Sequence, residues 1–282
     1  MGFLFWLFFV GIVVAGLQDL KRREVDNWLN LFLLVASFVF VFYRAIFEGD
    51  AGLVFHAGFA LVVMFVFMNL FYYGRVFAGG DAKLLVAMTV FFMGLTFYST
   101  LINIGIFLLF LMFAGSVYGL IYSFVLYVKD FEKVNKEIKE SLFFRGVRCW
   151  VLGVGVMLIL LGFFNFVFLL VGVFGILIFL LYVFAKGLES VSMIREVSGK
   201  ELREGDWLVD DVVVGSRQSV VSSRRVIRAD WDGLSLEDIE MLKGKKKVRI
   251  KDGLPFVPAF LIAFLGYVFL REWFIGFLMS LT

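Results

Sequence analysis

Two aspartates stand at the ends of long apolar stretches, where a charged side chain is costly. Asp19 follows the first such run in "AGLQDL", and Asp81 opens a later one in "RVFAGGDAKLLVAMTVFF". Ionisable residues at the edge of hydrocarbon are usually functional. Two close carboxylates cannot both ionise easily, so the pair shares one proton. The ionised member can take a proton from an attacking water, and the protonated member can donate to the developing oxyanion. Together they could form a dyad that hydrolyses a peptide bond.

Simpler interpretations stay open for each residue. Asp is a favoured helix N-cap, so Asp81 would serve only as the cap of the helix that follows. Asp19 would be an interfacial residue paired with Lys21 or Arg23. Asp26 lies in the same loop as Asp19 and is interpreted as solvated surface, which makes it a natural comparison.

The composition indicates a membrane protein. Of the 282 residues, 62% are hydrophobic and 18% are charged, whereas soluble domains are about half apolar and about a quarter charged. The predicted fold class is an all-α polytopic membrane protein of six to eight transmembrane helices, with a small cytoplasmic α+β domain before the last helix. The single Cys149 excludes an internal disulfide and a cysteine-cluster metal site. His56, the one histidine, is predicted to be a satisfied polar group and not a ligand.

Hydropathy predicts eight candidate spans, since apolar runs near the length of a bilayer crossing recur along the chain. Their predicted bounds are 3–17, 28–43, 53–73, 82–98, 101–128, 150–163, 166–184 and 254–270. The sixth and seventh come from one apolar run, and a tight hairpin at 162–165 is predicted between them. The first span is interpreted as retained, because it lacks the basic region of a cleaved signal peptide.

Basic residues alternate between the connections. The first loop holds the Lys-Arg-Arg run 21–23, the third holds Arg75 and Lys83, and the fifth, 129–148, holds six lysines and arginines. The loops between them hold only Arg44 or no basic residue. The positive-inside rule then predicts that odd-numbered loops face the cytoplasm and that the N-terminus faces out. Both aspartates are therefore predicted at the cytoplasmic face.

The predicted domains follow the change in composition. A membrane domain, 1–185, carries both aspartates, a soluble cytoplasmic domain covers 186–252, and the last transmembrane helix with the C-terminus covers 253–282. Within the soluble stretch, "ELREGDWLVDDVVVGS" predicts short strands with a turn at Gly205. Ser235 followed by Asp238 predicts a helix that begins with a capping box. The charged fifth loop has lysines and glutamates at helical spacing, which predicts a membrane-surface helix.

The two aspartate motifs resemble those of the archaeal type IV prepilin peptidases, a family that includes the preflagellin (prearchaellin) peptidases. These are membrane aspartic proteases of the G-x-G-D type. The first family motif, D-x-K-x-R-x-[VI]-x-N, is matched in register, and the second, G-x-G-D-A-K-L, is matched except that Ala78 replaces the first glycine. The matching positions are Asp19, Lys21, Arg23, Val25 and Asn27, followed by Gly80, Asp81, Ala82, Lys83 and Leu84. The stretch "DGLPFVPAFLIAFL" is also similar to the start of the last helix in this family.

The resemblance implies a catalytic pair, Asp19 and Asp81, that removes the short basic leader from precursor pilins or archaellins with class III signal peptides. The supporting motif residues are Gly79, Gly80, Lys21, Arg23, Asn27 and Lys83. The two glycines are expected to supply close backbone approach and unrestricted φ where the substrate enters. The resemblance implies neither a cofactor nor a metal. The partners are the precursors and the lipid bilayer, with no nucleic acid.

Other classes of protein stay as alternatives. Presenilin and signal-peptide-peptidase-like proteases also use G-x-G-D, but they place their aspartates on adjacent helices, whereas two further predicted spans intervene here. A proton-coupled transporter would use Asp19 and Asp81 as ion sites, but such sites usually lie near the midplane between internal repeats. A structural membrane scaffold would need neither aspartate.

Overall fold

The computed structural model describes residues 2–74, 76–143, 146–214, 225–230 and 233–280. Arg75, on which part of the predicted orientation rests, lies outside these ranges, as do residues 144–145 of the fifth loop and 215–216 of the predicted strand region. The chain forms two compact units, Met1–Ile121 with Leu254–Thr282 and Tyr122–Gly253. The predicted domains 1–185, 186–252 and 253–282 stay a prediction.

The described secondary structure is mostly helical. The helices are α1 (Phe3–Arg22), α2 (Asn27–Glu48), α3 (Gly52–Tyr73), α4 (Gly79–Ala87), α5 (Phe97–Lys129), α6 (Phe131–Phe143), α7 (Gly146–Leu161), α8 (Phe166–Ser192), α9 (Leu236–Leu242) and α10 (Val257–Ser280). The strands are β1 (Ile194–Val197), β2 (Trp207–Leu208), β3 (Val212–Val214), β4 (Arg225–Ile227) and β5 (Val248–Lys251). In the described ranges, six helices are long and apolar enough to cross a membrane, namely α1, α2, α3, α5, α8 and α10. The predicted fold class, a multi-pass helical membrane protein with a small sheet region, is confirmed.

The fourth predicted span is wrong as a single helix. α4 ends at Ala87, a 3₁₀ turn covers Thr89–Phe92, and α5 begins at Phe97, inside the predicted span. The hydroxyl of Thr89 donates to the carbonyl oxygen of Val86 at 2.6 Å. Such local side-chain bonds compete with the regular helical ladder, which is consistent with the break at this point.

The interrupted segment 79–97 still runs the length of α3. At one end, a β-carbon built on Gly79 would lie 3.7 Å from Cε2 of Tyr72, in the last turn of α3. At the other end, Phe97 stacks on His56, with ring centroids 4.7 Å apart. His56 lies in the first turns of α3, and its Nδ1 forms a 2.7 Å hydrogen bond with the carbonyl oxygen of Gly52. The prediction that this histidine is a satisfied polar group is confirmed.

The core of the first unit is built from phenylalanine rings contributed by several helices. The fully buried ones are Phe8, Phe92, Phe107, Phe260 and Phe264, and the rings of Phe92 and Phe107 stack with centroids 4.1 Å apart. Between helices that span a membrane, lipid is as apolar as these rings, so close van der Waals packing, and not release from water, stabilises the contacts. This core holds α1, α5 and α10 together. It thereby also fixes Asp19 at the end of α1 relative to Val257 at the start of α10.

The second unit contains a helical hairpin. α7 ends at Leu161, and the side chain of Asn165 caps α8 by accepting a backbone N–H at 2.9 Å. The hairpin predicted at 162–165 is therefore confirmed. The two helices approach closely at glycines, because a β-carbon on Gly172 would lie 2.9 Å from the carbonyl oxygen of Gly155. The charged fifth loop forms α6, which packs against α8, so its predicted helix is also present.

The soluble-type stretch folds into short antiparallel strands. The described strands form a sheet in the order β1-β5-β2 and a separate β3-β4 pair. Gly205 has a φ of +88°, which provides the predicted turn before β2. The Ser235 hydroxyl accepts the N–H of Asp238 at 3.3 Å, and the carboxylate of Asp238 accepts the N–H of Ser235 at 3.2 Å. The capping box at the start of α9 is therefore confirmed.

Candidate active site

Asp19 lies in the last turn of α1 and is buried, with 5% of its surface exposed. The helix ends because Arg23 adopts a left-handed conformation, φ 61°, and donates its backbone N–H to the carbonyl oxygen of Asp19 at 2.8 Å. A residue with a side chain costs about 1 kcal/mol or more in this region of φ, so the surrounding contacts must hold it there. This turn leads the chain directly from Asp19 to Val25 and Asn27 of the same motif.

The carboxylate of Asp19 binds the start of α10. Its Oδ2 accepts the backbone N–H of Val257 at 2.9 Å, across 238 residues of sequence. Val257 is the first residue of α10, and the amides of a first helical turn have no partner within their own helix. The positive end of the helix dipole also favours a negative group at this point. α10 therefore provides a binding position for an ionised Asp19.

Asp81 lies in the first turn of α4 and is also buried, with 8% exposed. The N-cap of α4 is Ala78, so Asp81 is the third residue of the helix and does not hold the N-cap position. Its carboxylate accepts the backbone N–H of Ala78. Asp81 lies outside the six candidate spans.

Burial, and after it the negative charge of Asp19, raises the pKa of Asp81 to about 7. The two carboxylates interact through their charges, which is the condition for sharing a proton.

The two sequence motifs touch at Gly80. A β-carbon built on Gly80 would lie 3.3 Å from the backbone nitrogen of Val25 and 3.7 Å from its Cβ. Gly79 and Gly80 are both helical, and neither has a positive φ. The expected use of unrestricted φ is therefore wrong for both glycines, and the close approach of two backbones explains the glycine at position 80.

A second contact joins the motifs through a lysine. The Nζ of Lys83 donates to Oδ1 of Asn27 at 2.8 Å, which ties α4 to the first turn of α2. Arg23 is half-buried and its positive charge acts on Asp19. Lys21, on the last turn of α1, is exposed, as Asn27 and Lys83 are. What distinguishes Asn27 and Lys83 is the hydrogen bond that joins the two motif segments.

The segment that holds both aspartates has known relatives. Residues 6–124 match the type IV leader peptidase family. The chain is also 25% identical over 79 residues to the preflagellin peptidase of Methanococcus maripaludis, which covers 28% of this chain and 34% of the relative. The chain therefore spans about a third of the length of this curated relative. None of the solved structures matches the chain. The resemblance drawn from the two motifs is confirmed.

The leader peptidase match does not extend to α10, whose contribution the sequence reasoning missed. Val257 contributes a backbone amide, which no side-chain motif reveals. The available signal was that both prolines of the chain, Pro255 and Pro258, bracket Phe256 and Val257. Proline is favoured in the first turn of a helix because its missing N–H would have no helical partner there. The pair of prolines thus marks a helix start at which two backbone amides, those of Phe256 and Val257, lie between residues that have none.

Asp26, the comparison residue within the matched segment, is less solvated than expected. Its Oδ2 accepts hydrogen bonds from Nε2 of Gln18 at 3.0 Å and from Nε1 of Trp28 at 3.2 Å. It precedes α2 as the N-cap residue. The interpretation of Asp26 as plain solvated surface is therefore wrong. The side-chain oxygen of an asparagine at this position could accept the same two hydrogen bonds from Gln18 and Trp28. Over the described ranges, no group of three or more His, Cys, Asp and Glu side chains is arranged to hold a metal ion.

Among the residues of the two aspartate motifs, Lys83 should stabilise the contact between α4 and α2 more than Lys21 does. Lys83→Ala removes the 2.8 Å bond to Asn27. Both side chains are exposed, so hydrogen exchange in the peptide that begins α2 should become about two- to fivefold faster, since such a bond contributes about 0.5–1 kcal/mol. Lys21→Ala, an exposed control on the last turn of α1, should change this exchange by less than about twofold. Exchange of the full chain in lipid nanodiscs, followed by mass spectrometry, measures both. Equal effects of the two substitutions would contradict the positioning role of Lys83.

Proposed function

We propose that this protein is a membrane-embedded aspartic endopeptidase that removes the short basic leader from archaeal preflagellin- or prepilin-type precursors at the cytoplasmic face of the membrane. The observation that carries the proposal is the buried pair of Asp19 and Asp81, whose charges interact although they come from two separate helices. The match to the type IV leader peptidases and the similarity to a preflagellin peptidase support the reaction class and the substrate class.

The chemistry needs one ionised and one protonated carboxyl group. The ionised carboxylate takes a proton from water as the water oxygen bonds to the scissile carbonyl carbon, and the protonated member donates to the carbonyl oxygen. The tetrahedral intermediate then collapses and the C–N bond breaks. The departing amine takes the proton from the carboxyl that first accepted it, and one hydroxyl of the intermediate returns its proton to the other carboxylate as the C=O bond re-forms. Burial of both groups strengthens their interaction, because charges act more strongly where water is excluded.

The position of the pair along the helices suits this substrate. Asp19 lies in the last turn of α1 and Asp81 in the first turn of α4, so both carboxylates lie at helix ends and not at the middle of a span. A class III leader places its basic region in the cytoplasm and its apolar segment in the bilayer, so its scissile bond lies at the interface. The basic first loop supports the cytoplasmic side for this end of the helices. A midplane ion site, as in a transporter, fits this placement less well.

Cleavage should depend on pH through Asp81. Its pKa is raised to about 7, so the protonated form that donates to the oxyanion is present below that pH and is lost above it. We therefore expect the rate to fall as the pH rises through about 7 and to keep falling at higher pH. Initial rates between pH 5 and 9 would show this fall. They are measured in sealed inverted vesicles, with the precursor added to the outer side, which corresponds to the cytoplasmic face. A rate that stays constant from pH 6 to 9 would contradict the assignment.

The function itself is tested by offering a precursor with a class III leader to membranes that contain the chain. The expected product is the mature polypeptide with a new N-terminus at the leader junction, identified by mass spectrometry. A matched precursor whose leader lysines and arginines are replaced by glutamine should be cut more slowly. If neither precursor is cut, while membranes with an active leader peptidase cut the unmodified one, the proposal is wrong and the transporter and scaffold alternatives take its place.

A further inference from the structure

The start of α10 contains a ring that no step of the proposed chemistry has used. We propose that Phe256 is a positioning residue: its ring, seated against Gly115 and Phe77, holds the Val257 amide on Asp19 and so keeps Asp19 as the ionised member of the pair. Asp81 is then the proton donor. The inference rests on the proposed function for its catalytic meaning, while the positioning itself is a property of the structure alone.

The seat of Phe256 is formed by a glycine on another helix. A β-carbon built on Gly115, in α5, would lie 2.8 Å from Cε2 of the Phe256 ring and would overlap with its Cζ. Gly115 is buried, so the ring occupies the space that a side chain at this position would need. Even the methyl group of alanine would displace the ring. We expect this displacement to reach the backbone that carries the Val257 amide, because the ring is also packed against Phe77 and Phe260.

The same ring also reaches the segment that leads into α4. The centroid of Phe256 lies 5.3 Å from that of Phe77 and 6.0 Å from that of Phe260. Phe77 is buried and stands directly before Ala78, the N-cap of α4. Aromatic pairs at such distances contribute about 0.5–1.5 kcal/mol beyond the area they bury. Phe256 therefore connects the helix start that binds Asp19 with the helix start that carries Asp81.

The two carboxylates have unequal surroundings. Asp19 accepts the Val257 amide at 2.9 Å, and the backbone amide of Phe256 and the positive charge of Arg23 also act on it. Asp81 accepts one backbone amide, from Ala78, and faces the like charge of Asp19. The positive charge of Arg23 and the amides at the start of α10 thus act on Asp19, and the negative charge of Asp19 acts in turn on Asp81. Amides and a cation stabilise a carboxylate, so the negative charge rests on Asp19.

The test displaces the ring without touching either aspartate. Gly115→Ala is compared with Gly119→Ala, one turn further along α5, where a built β-carbon meets nothing within 4 Å. Hydrogen exchange of the peptide that contains Val257 is measured by mass spectrometry on the full chain in lipid nanodiscs. Gly115→Ala should speed exchange of this amide at least about tenfold because its hydrogen bond is lost. Gly119→Ala should leave exchange within about twofold of the wild-type rate.

A cleavage assay gives the second readout. At low pH the rate should fall because Asp19 becomes protonated. In Gly115→Ala this fall should occur at higher pH than in the wild type, because a carboxylate that loses an amide donor takes up a proton more readily. The rate at the optimum should fall about tenfold. Phe256→Leu, which removes the ring and leaves Gly115 unchanged, should also speed exchange of the Val257 amide and slow cleavage, because the contacts with Phe77 and Phe260 are lost. A purely structural role for Gly115 would lower the amount of folded protein and leave the pH profile in place.

The inference is overturned if Gly115→Ala matches Gly119→Ala in exchange and in pH profile, while the wild type cleaves the precursor. It is also overturned if Phe256→Leu exchanges the Val257 amide at the wild-type rate. Exchange needs no substrate, so it separates this inference from the proposed function. If the wild type cuts no precursor but Gly115→Ala still exposes the Val257 amide, the positioning by Phe256 stands and the proposed function is wrong.

Discussion

Replacing either Asp19 or Asp81 with asparagine is expected to lower the turnover of precursor at least about 10³-fold while KM changes by no more than about threefold. Asparagine keeps the size of the side chain and its acceptor oxygen, so the contact of residue 19 with Val257 can persist. It cannot exchange a proton as a carboxyl group does. Each substitution therefore removes the chemistry of one member and leaves the fold and substrate binding largely as they were.

Asp26→Asn provides the matched control for these two variants. It changes the same functional group in the loop that follows Asp19, and its oxygen can still accept from Gln18 and Trp28. Its turnover should stay within about twofold of the wild-type value. Single-turnover rates at several enzyme concentrations separate turnover from binding. An Asp19 or Asp81 variant that keeps a tenth or more of the wild-type turnover would show that the residue is not one of the reacting groups.

Gly80→Val is expected to lower the cleavage rate about 100-fold, because a displacement of roughly 1 Å at a reacting centre can cost that much. The β-carbon alone would lie 3.3 Å from the backbone nitrogen of Val25, and the two γ-methyl groups of valine need further space. α4 must then move away from the loop that follows α1. This movement separates Asp81 from Asp19 without changing either carboxyl group.

The adjacent glycine supplies the control for this effect. A β-carbon on Gly79 would make only an ordinary 3.7 Å contact with Tyr72, so Gly79→Ala should cut at about the wild-type rate. Gly80→Ala should lie between the wild type and Gly80→Val. Cleavage rates normalised to the amount of membrane-inserted protein would test the series. If Gly79→Ala and Gly80→Ala were equally slow, the close approach to Val25 would not explain the glycine at position 80.

Local features of this chain could be predicted because their causes lie within a few residues. The capping box of α9 needs only Ser235 and Asp238, and the hairpin between α7 and α8 needs a polar break in an apolar run. The two aspartates were also found from sequence, because each stands beside a run that hydropathy identifies. The prediction that Asp19 and Asp81 form a pair also depended on the resemblance to a known family and on the alternation of basic loops, which places both residues at the same membrane face.

The parts that were missed depend on contacts between distant residues. Hydropathy reports the transfer of side chains out of water and not the continuity of a helix, so the break after Ala87 was invisible to it. The residues around Gly115 give no sign of its importance, because it is one glycine in a long apolar helix. Its role becomes apparent only from the structure, where the Phe256 ring fills the space that a side chain at position 115 would need. The amide of Val257 belongs to the backbone, so the identity of the residue gives no sign of its bond to Asp19.

The most direct measurement is the appearance of the mature N-terminus when one precursor is offered to membranes containing the wild type, Asp19→Asn, Asp81→Asn or Asp26→Asn at equal protein levels. We expect product from the wild type and Asp26→Asn and none from the other two. Substantial product from either Asp19→Asn or Asp81→Asn would contradict the claim that these residues form one catalytic pair.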